Sequence, residues 1–115
     1  MRRPESFLPL TAVVFEILVS LATGERHGYS ILIDVRTRTG DSLRPGSLYR
    51  ALNRLLDDGL IEELDERPDP ELDDERRRYY QLTALGRQVA EAEAARLDAQ
   101  VRAARSARLL TRRPR

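Results

Sequence analysis

Polar side chains that could read nucleic-acid bases recur along one side of a predicted helix near the middle of the chain. Leu48, Leu52 and Leu55 follow one another at steps of four and three, so they share one helical face. The opposite face is cationic, and no acidic residue occurs between residues 42 and 56. Arginine can donate a pair of hydrogen bonds to guanine in the major groove, and asparagine can pair with adenine. The side chains that we expect to contact DNA from this face are those of Ser47, Tyr49, Arg50, Asn53 and Arg54.

Short local signals mark both ends of this helix. Gly46 and Ser47 can begin it, because the serine hydroxyl can accept a hydrogen bond from a free backbone N–H of the first turn. Gly59 can end it, because glycine enters the left-handed conformation at little cost. A short helix with an apolar back and a cationic front suits the DNA major groove. An ordinary solvated helix face is the competing interpretation.

Two earlier helices are predicted from apolar spacing and caps. The first follows Thr11 and ends near Gly24, residues 25–27 form a connector, and the second helix spans residues 28–39 with Gly40 as its stop. The residues expected to face inward are Leu10, Val13, Val14, Ile17, Leu18 and Leu21 in the first helix, and Tyr29, Leu32 and Val35 in the second.

Two short strands and a long helix are predicted after the central helix. Residues 60–64 and 78–82 are rich in strand-forming types, and residues 65–77 between them hold two prolines, which is typical of a hairpin tip. Thr83 then caps a helix that runs from residue 84 to about residue 110. This order predicts a mainly α fold with a small β-hairpin, a winged helix-turn-helix with a long C-terminal helix. The expected division is a flexible N-terminal arm at 1–9, a winged helix-turn-helix DNA-binding domain at 10–82, a C-terminal dimerisation helix at 83–110 and a basic tail at 111–115.

The long helix carries a stripe of small and apolar residues at steps of four, three, four and three, the spacing of helices that pack along their length. The stripe residues are Ala90, Ala94, Leu97, Val101 and Ala104. A chain of 115 residues builds only a small core, so we expect this stripe to be buried against a second copy. The sequence therefore predicts a homodimer.

Three consecutive arginines, Arg76, Arg77 and Arg78, lie at the start of the second strand. Strand alternation puts Arg77 on the face opposite Tyr80, where it is expected to contact phosphates or the minor groove. The competing interpretation is that these arginines neutralise the acidic hairpin tip at residues 69–75. That tip is expected to be solvated or to face a partner protein.

Composition and charge exclude several classes of protein. The net charge is only +1, because the acidic residues gather within residues 57–75 while the arginines lie mostly elsewhere. The chain has no cysteine, no signal peptide and no apolar run of the roughly 20 residues that span a bilayer, which fits a cytoplasmic protein. His27 is the single histidine, and no phosphate-binding glycine loop or nucleophile motif occurs. We therefore expect no enzyme activity, no metal and no cofactor.

Three blocks of this sequence resemble the PadR family of transcriptional regulators. They are His27-Gly28-Tyr29 at the start of the second helix, residues 46–52 continuing to 59–61, and residues 78–86. Together with the first helix, the resemblance spans about residues 10–86, and the single C-terminal helix resembles the short branch of the family. The multidrug-binding members of that branch use a tryptophan in their dimer-interface pocket, and this chain has none.

The resemblance implies a homodimeric repressor that binds an inverted-repeat operator in double-stranded DNA. It also implies a response to a small-molecule effector at the dimer interface. Two other interpretations stay open from the residues alone: a protein–protein interaction module that uses the acidic hairpin or the long helix, and a non-specific architectural DNA binder. The salt dependence of affinity, with and without a defined operator, separates the three.

Overall fold

A computed structural model describes residues 2–40, 42–68 and 76–110, without the side chains of residues 65–68, 76 and 77. The helices within these residues are α1 (Ala12–Leu21), α2 (Gly28–Thr39), α3 (Pro45–Asp57) and α4 (Ala84–Ser106), and a 3-10 helix occupies Pro4–Phe7. The strands are β1 (Arg26–His27), β2 (Ile61–Pro68) and β3 (Arg76–Leu82). The predicted fold class, mainly α with a small sheet and a long C-terminal helix, is confirmed. None of the helices in the described part of the chain has the length and apolar character that crossing a membrane requires.

The core lies where α1, α2 and α3 meet, with the sheet and the first turns of α4 packed over them. The apolar residues that it buries completely include Ile17, Leu18, Ile31, Leu48, Leu52 and Val89. Burying one such aliphatic side chain contributes roughly 1.5–3 kcal/mol. Buried side chains of α1, α2 and α4 therefore pack with those of α3 and hold it in place. The apolar back predicted for α3 is confirmed.

The sheet contains one strand more than the predicted hairpin. Residues 25–27 were expected to form a connector, but Arg26 and His27 form β1 and pair with Tyr80 and Tyr79 of β3. The strand order is β1-β3-β2, and all neighbours are antiparallel. A strand of two residues has no alternating pattern of its own, and it exists because β3 supplies its hydrogen-bonding partners.

The predicted bounds of α2 are confirmed, but its inward face is only partly as expected. The helix buries Gly28, Ile31, Leu32 and Val35, whereas Tyr29 is 51% exposed. The buried positions follow the three- and four-residue steps of one helical face, and Tyr29 lies outside that face. In α1 the predicted cap is confirmed, since the Thr11 hydroxyl accepts from the Val14 N–H. Three further inward predictions differ in degree: Leu10 and Val14 are half-buried, and Val13 is exposed.

Helix α3 begins earlier than the sequence suggested. Its first residue is Pro45, and Arg44 precedes it without any side-chain cap, so the predicted Ser47 cap is wrong. Proline suits the first helical position, because its fixed φ is already helical and its missing N–H has no partner there. Ser47 is thus two residues inside the helix, where its hydroxyl accepts from Arg50.

The predicted stop of α3 at Gly59 is confirmed. Gly59 has a φ of +75° and donates its N–H to Leu56 O at 3.1 Å, and Leu60 donates to Leu55 O at 3.0 Å. These two hydrogen bonds form a Schellman motif. Leu55 and Leu60, which are joined by one of them, are both buried in the core.

The turn after α3 is joined directly to the start of α4. Thr83 caps α4 as predicted by accepting from the Gly86 N–H, and its own N–H and hydroxyl donate to Leu60 O and Gly59 O. A Cβ atom on Gly86 would lie 1.8 Å from Leu60 O, so only glycine fits there. The backbones of α4 and of the chain leaving α3 are therefore in direct contact.

Strands β2 and β3 extend beyond the predicted segments, to Pro68 and back to Arg76, with an irregular register between Leu64 and Arg67. The acidic tip at residues 69–75 lies outside the described residues, as does the basic tail at 111–115. Helix α4 ends at Ser106, before the expected residue 110.

The N-terminal segment contacts the rest of the protein, whereas a flexible arm was expected. Pro4–Phe7 forms a 3-10 helix beside α4, and Phe7 and Leu8 pack against the core. Apolar side chains in this segment find partners on elements far along the chain, which local composition does not reveal. The division into domains at these boundaries stays a prediction.

A buried carboxylate ties α4 to the start of α1. Glu93 is 1% exposed, and its Oε2 accepts from the Leu10 N–H at 3.0 Å and from Arg96 Nη2 at 3.0 Å. The Arg96 hydrogen bond lowers the pKa of Glu93, burial acts in the opposite direction, and the Leu10 N–H lowers it further. The charged form of Glu93 is therefore the one that stabilises this contact.

We predict that Gly86→Ala destabilises the fold by about 3 kcal/mol, because the added methyl group meets backbone that no rotamer change can move away. Gly46→Ala is the matched control, since its Cβ would meet only Arg50 Nη1 at an ordinary 3.6 Å. Urea unfolding followed by circular dichroism at fixed protein concentration measures both. Equal stability of the two variants would contradict the assigned contact.

Glu93→Gln is expected to destabilise the protein by about 1–3 kcal/mol at pH 7, because hydrogen bonds to a charged acceptor are lost. The folded-state pKa of Glu93 lies below its ordinary value of 4.5, so this stabilisation is complete above that value. It disappears as the pH falls through the lowered folded-state pKa, where wild type and variant converge. Urea unfolding from pH 7 down to pH 3 checks this, with the exposed Glu91→Gln as control. A stability difference independent of pH would show that Glu93 acts by packing alone.

Candidate nucleic-acid interface

Helix α3 presents a polar face to solvent opposite its buried leucines. Arg50 donates from Nη2 to Ser47 Oγ at 3.3 Å, so these two side chains lie together near the start of the helix. Tyr49, Arg50, Asn53 and Arg54 are exposed, and Ser47 is half-buried. The face is free of carboxylates along the helix until Asp57. It offers a hydroxyl, a phenol, an amide and guanidinium groups, which are donors suited to base edges and phosphates.

Arg54 pairs with a carboxylate at the end of α3. Its Nε lies 3.9 Å from Asp58 Oδ2 at the end of α3, close to the N-terminal segment. Its side chain is 81% exposed, so the pair is weak and the guanidinium can leave it. The structure thus brings Ser47 and Arg50 together and pairs Arg54 with Asp58.

The start of α3 adds a residue that the sequence interpretation missed. Arg44 is exposed and precedes Pro45, and no side chain caps the first turn there. Uncapped N–H groups and the positive end of the helix dipole together attract anions such as phosphate. The signal in the sequence was Pro45, because proline at the first helical position would have moved the start of the helix and put Arg44 beside it.

Tyr49 connects the exposed face of α3 to the start of α2. A Cβ atom on Gly28 would lie 2.7 Å from the Tyr49 hydroxyl oxygen and 3.0 Å from its ring carbons. The ring therefore rests on the bare backbone of Gly28, while Tyr49 stays 44% exposed. This contact brings the start of α2 close to α3.

His27 connects the start of α2 to the sheet. Its Nδ1 accepts from the Ser30 N–H at 3.0 Å, which caps α2, and its ring meets Tyr79 edge-on with centroids 5.5 Å apart. A ring nitrogen that accepts a hydrogen bond carries no proton, so the other nitrogen carries it in the neutral ring. His27 therefore caps α2 and packs against Tyr79 of β3. Tyr29 is exposed at the first turn of α2, although it was expected in the core.

Of the three wing arginines, only Arg78 has a side chain that the structure describes. Arg78 is exposed, and its Nε lies 3.2 Å from Glu63 Oε1 on the neighbouring strand. The backbones of Arg76 and Arg77 pair with Pro68 and Arg67, but their side chains lie outside the described residues. Phosphate contact by these three arginines stays a prediction.

The predicted dimer stripe runs along the outer side of α4. Ala90 packs against the core of its own chain, whereas Ala94 and Val101 are exposed and Leu97 and Ala104 are half-buried. The inner side of the helix is occupied by Gly86, Val89 and Glu93. Ala94 and Val101 are therefore left uncovered by their own chain, and Leu97 and Ala104 are only partly covered.

Metal chemistry finds no support in this arrangement. Among the residues whose positions are described, no three His, Cys, Asp or Glu side chains lie close enough together to hold a metal ion.

Three helices, a β-hairpin wing formed by β2 and β3, and the exposed face of α3 define a winged helix-turn-helix of the kind found in transcriptional regulators. The family described as the transcriptional regulator PadR-like family matches residues 17–92, and the chain belongs to this family. Its members are transcriptional regulators rather than enzymes. The resemblance noted from the three sequence blocks is thereby confirmed.

Other known proteins are similar to this chain in sequence or in fold. An uncharacterized 37.1 kDa protein in transposon TN4556 of Streptomyces fradiae is 40% identical over 88 residues, which cover 74% of this chain and 24% of that protein. The chain thus spans about a quarter of the length of this curated relative. A PadR family transcription regulator from Clostridium difficile shares the fold with a TM-score of 0.72 and 24% identity, over 84% of this chain and 97% of that one. Bacillus subtilis PadR, solved in complex with operator DNA, has a TM-score of 0.62 and 22% identity, over 93% of this chain and 51% of that one.

Proposed function

We propose that this protein is a sequence-specific DNA-binding regulator that acts as a homodimeric repressor on an inverted-repeat operator. The observation that carries the proposal is the exposed, carboxylate-free face of α3, which stands on three buried leucines within a helix-turn-helix. Family membership and the operator complex of Bacillus subtilis PadR support it.

In this proposal the side chains of α3 divide into base-reading and phosphate-binding groups. Arg50 and Asn53 lie one turn apart on the exposed face, so both can reach base edges in one major groove. Ser47, Tyr49 and Arg44 lie nearer the start of α3 and bind the flanking phosphates. Arg54 and the wing arginines 76–78 add charge at the two margins.

The exposed stripe on α4 supports the dimer. Val101 is 42% exposed on a helix that extends beyond the core, and two such stripes can bury each other by packing along their length. A two-fold dimer presents its two α3 helices to major grooves about one helical turn of DNA apart, which explains a palindromic operator.

A small-molecule effector between the subunits completes the proposal. A ligand there can favour one packing of the two α4 helices over another, and it thereby changes the separation of the α3 helices. DNA release then follows from a difference in ligand affinity between the two packings, without any contact between ligand and DNA.

Arg50→Ala and Asn53→Ala are each expected to weaken operator binding by roughly 1–3 kcal/mol, because a paired contact to a base edge is lost. Affinity for random DNA of the same length should change much less. Fluorescence anisotropy titrations on both DNAs measure this, after the operator has been selected from fragments of the host genome.

Arg105→Ala is the matched control for Arg50→Ala, because it removes the same charge from α4, far along the chain from α3. Equal losses on operator and random DNA would show that Arg50 and Asn53 contact phosphates only. A wild-type protein that binds all sequences equally would instead favour a non-specific architectural role.

Val101→Asp is expected to convert the dimer to a monomer, because two buried carboxylates would face each other across the α4 seam. The exposed neighbour Gln100→Asp lies outside the stripe and should remain dimeric. Light scattering at tens of micromolar protein gives the mass of each variant, and circular dichroism verifies the fold. An unchanged mass for Val101→Asp would remove this stripe from the interface.

A further inference from the structure

The side chain of Arg50 folds back over the first turn of α3. Its Nη2 donates to Ser47 Oγ at 3.3 Å. Its Nη1 lies over Gly46, where an added Cβ atom would be 3.6 Å from it. Side chains on a helix cover the turn that precedes their own residue, so the guanidinium lies in the direction that the helix favours. Gly46 leaves room for this guanidinium, and Ser47 provides it with a hydrogen-bond acceptor.

The partner of Arg50 leaves the positive charge of the guanidinium intact. Ser47 is a neutral hydroxyl, and no acidic residue occurs between residues 42 and 56. Arg54, one turn later, instead has its Nε 3.9 Å from the carboxylate of Asp58. DNA competes with that carboxylate for Arg54, whereas Arg50 meets DNA with its full charge and an orientation that is already set. Of these two arginines, Arg50 is the one prepared to bind a base edge.

The hydrogen bond to Ser47 leaves Arg50 enough donors to read a base. A guanidinium has several N–H groups, and each terminal nitrogen carries a pair of them. With one Nη2 hydrogen on Ser47, the second Nη2 hydrogen and those of Nη1 remain for the O6 and N7 atoms of guanine. Guanine is the base that offers a pair of acceptors on its major-groove edge, so it is the base that this fork fits.

The Ser47 hydroxyl can orient Arg50 and contact the DNA backbone at the same time. A hydroxyl carries a single proton and accepts hydrogen bonds through its oxygen. Because Ser47 Oγ accepts from Arg50, its own proton stays available for a phosphate oxygen. Ser47 therefore links the phosphate contact proposed for it to the orientation of the neighbouring guanidinium.

We propose that Ser47 is a positioning residue that holds Arg50 for a guanine in each operator half-site. This inference rests on the proposed function and adds to it which base the site selects and which second residue sets that preference. A long side chain loses rotamer freedom when it binds, and the hydrogen bond to Ser47 removes part of that freedom before DNA arrives. The planar fork of arginine turns a fixed orientation into a preference between bases.

The test is a set of fluorescence anisotropy titrations with the full chain. The DNAs are the operator selected from host-genome fragments and duplexes in which each G·C pair of the half-sites is replaced in turn by A·T. For wild type we expect the largest loss of affinity, about tenfold, at one position. Ser47→Ala should weaken operator binding about fivefold, because a hydrogen bond that orients Arg50 is lost. It should also reduce the loss at that one position, whereas Ser47→Thr keeps the hydroxyl and should keep the preference.

Two further variants make the readout specific to the pair. Arg50→Ala should abolish the preference at the same position, and adding Ser47→Ala to it should change the preference no further. Ser30→Ala is the matched control, because Ser30 Oγ also accepts from an arginine, Arg26 Nη1 at 3.1 Å, but lies on α2. It should preserve the base preference of wild type. Circular dichroism verifies that each variant is folded.

The proposal is overturned if Ser47→Ala weakens binding equally on every duplex, because Ser47 would then contact only phosphate. It is also overturned if Arg50→Ala loses the guanine preference while Ser47→Ala retains it, or if Arg50→Ala itself retains it. A wild type without any base preference contradicts the proposed function, and this inference with it, so the two failures are distinguishable.

Discussion

The rest of this structure depends on one backbone contact, between Gly86 at the start of α4 and Leu60 after the end of α3. No Cβ atom fits between them, and Thr83 donates to the carbonyl groups of Gly59 and Leu60 in the same place. The left-handed Gly59 delivers the chain to this point immediately after α3. Because backbone meets backbone, the angle between α3 and α4 does not depend on side-chain rotamers. A change in the position of α4 is therefore passed to α3 without being absorbed by flexible side chains.

A second tie holds α4 to the opposite side of the domain. The Glu93 carboxylate accepts from the Leu10 N–H just before α1, and Arg96 holds that carboxylate in place. Helix α4 is thus attached near its start to the end of α3 and, two turns later, to the start of α1. With both attachments, the first half of α4 and the helix-turn-helix form one body. In the proposed dimer, the packing of two α4 helices then sets the distance between two α3 helices, and no separate linker is involved.

Local chemistry made most of the fold predictable from the sequence, and pairings between distant segments account for what was not predicted. The caps at Thr11 and Thr83 and the stop at Gly59 depend on atoms within a few residues, so the sequence shows them directly. Strand β1 exists only because β3, about fifty residues later, supplies its partners. The ion pair between Arg2 and Asp58 joins two residues that are 56 positions apart and carry no shared pattern. On α3, helical periodicity predicted the exposed face, but it could not show that Arg54 turns toward Asp58.

The near-zero net charge has a consequence for how the proposed regulator recognises DNA. Non-specific affinity comes mainly from neutralised phosphates and the counterions that they release. In this chain the acidic residues gather after α3, and Asp58 at its end engages Arg2 and Arg54, so the arginine charge is largely offset and the net charge is only +1. We therefore expect weak non-specific binding. A regulator with weak non-specific binding must obtain its affinity from base contacts, which here fall to the exposed donors of α3. Low net charge and a short, carboxylate-free reading face are therefore two parts of the same route to specificity.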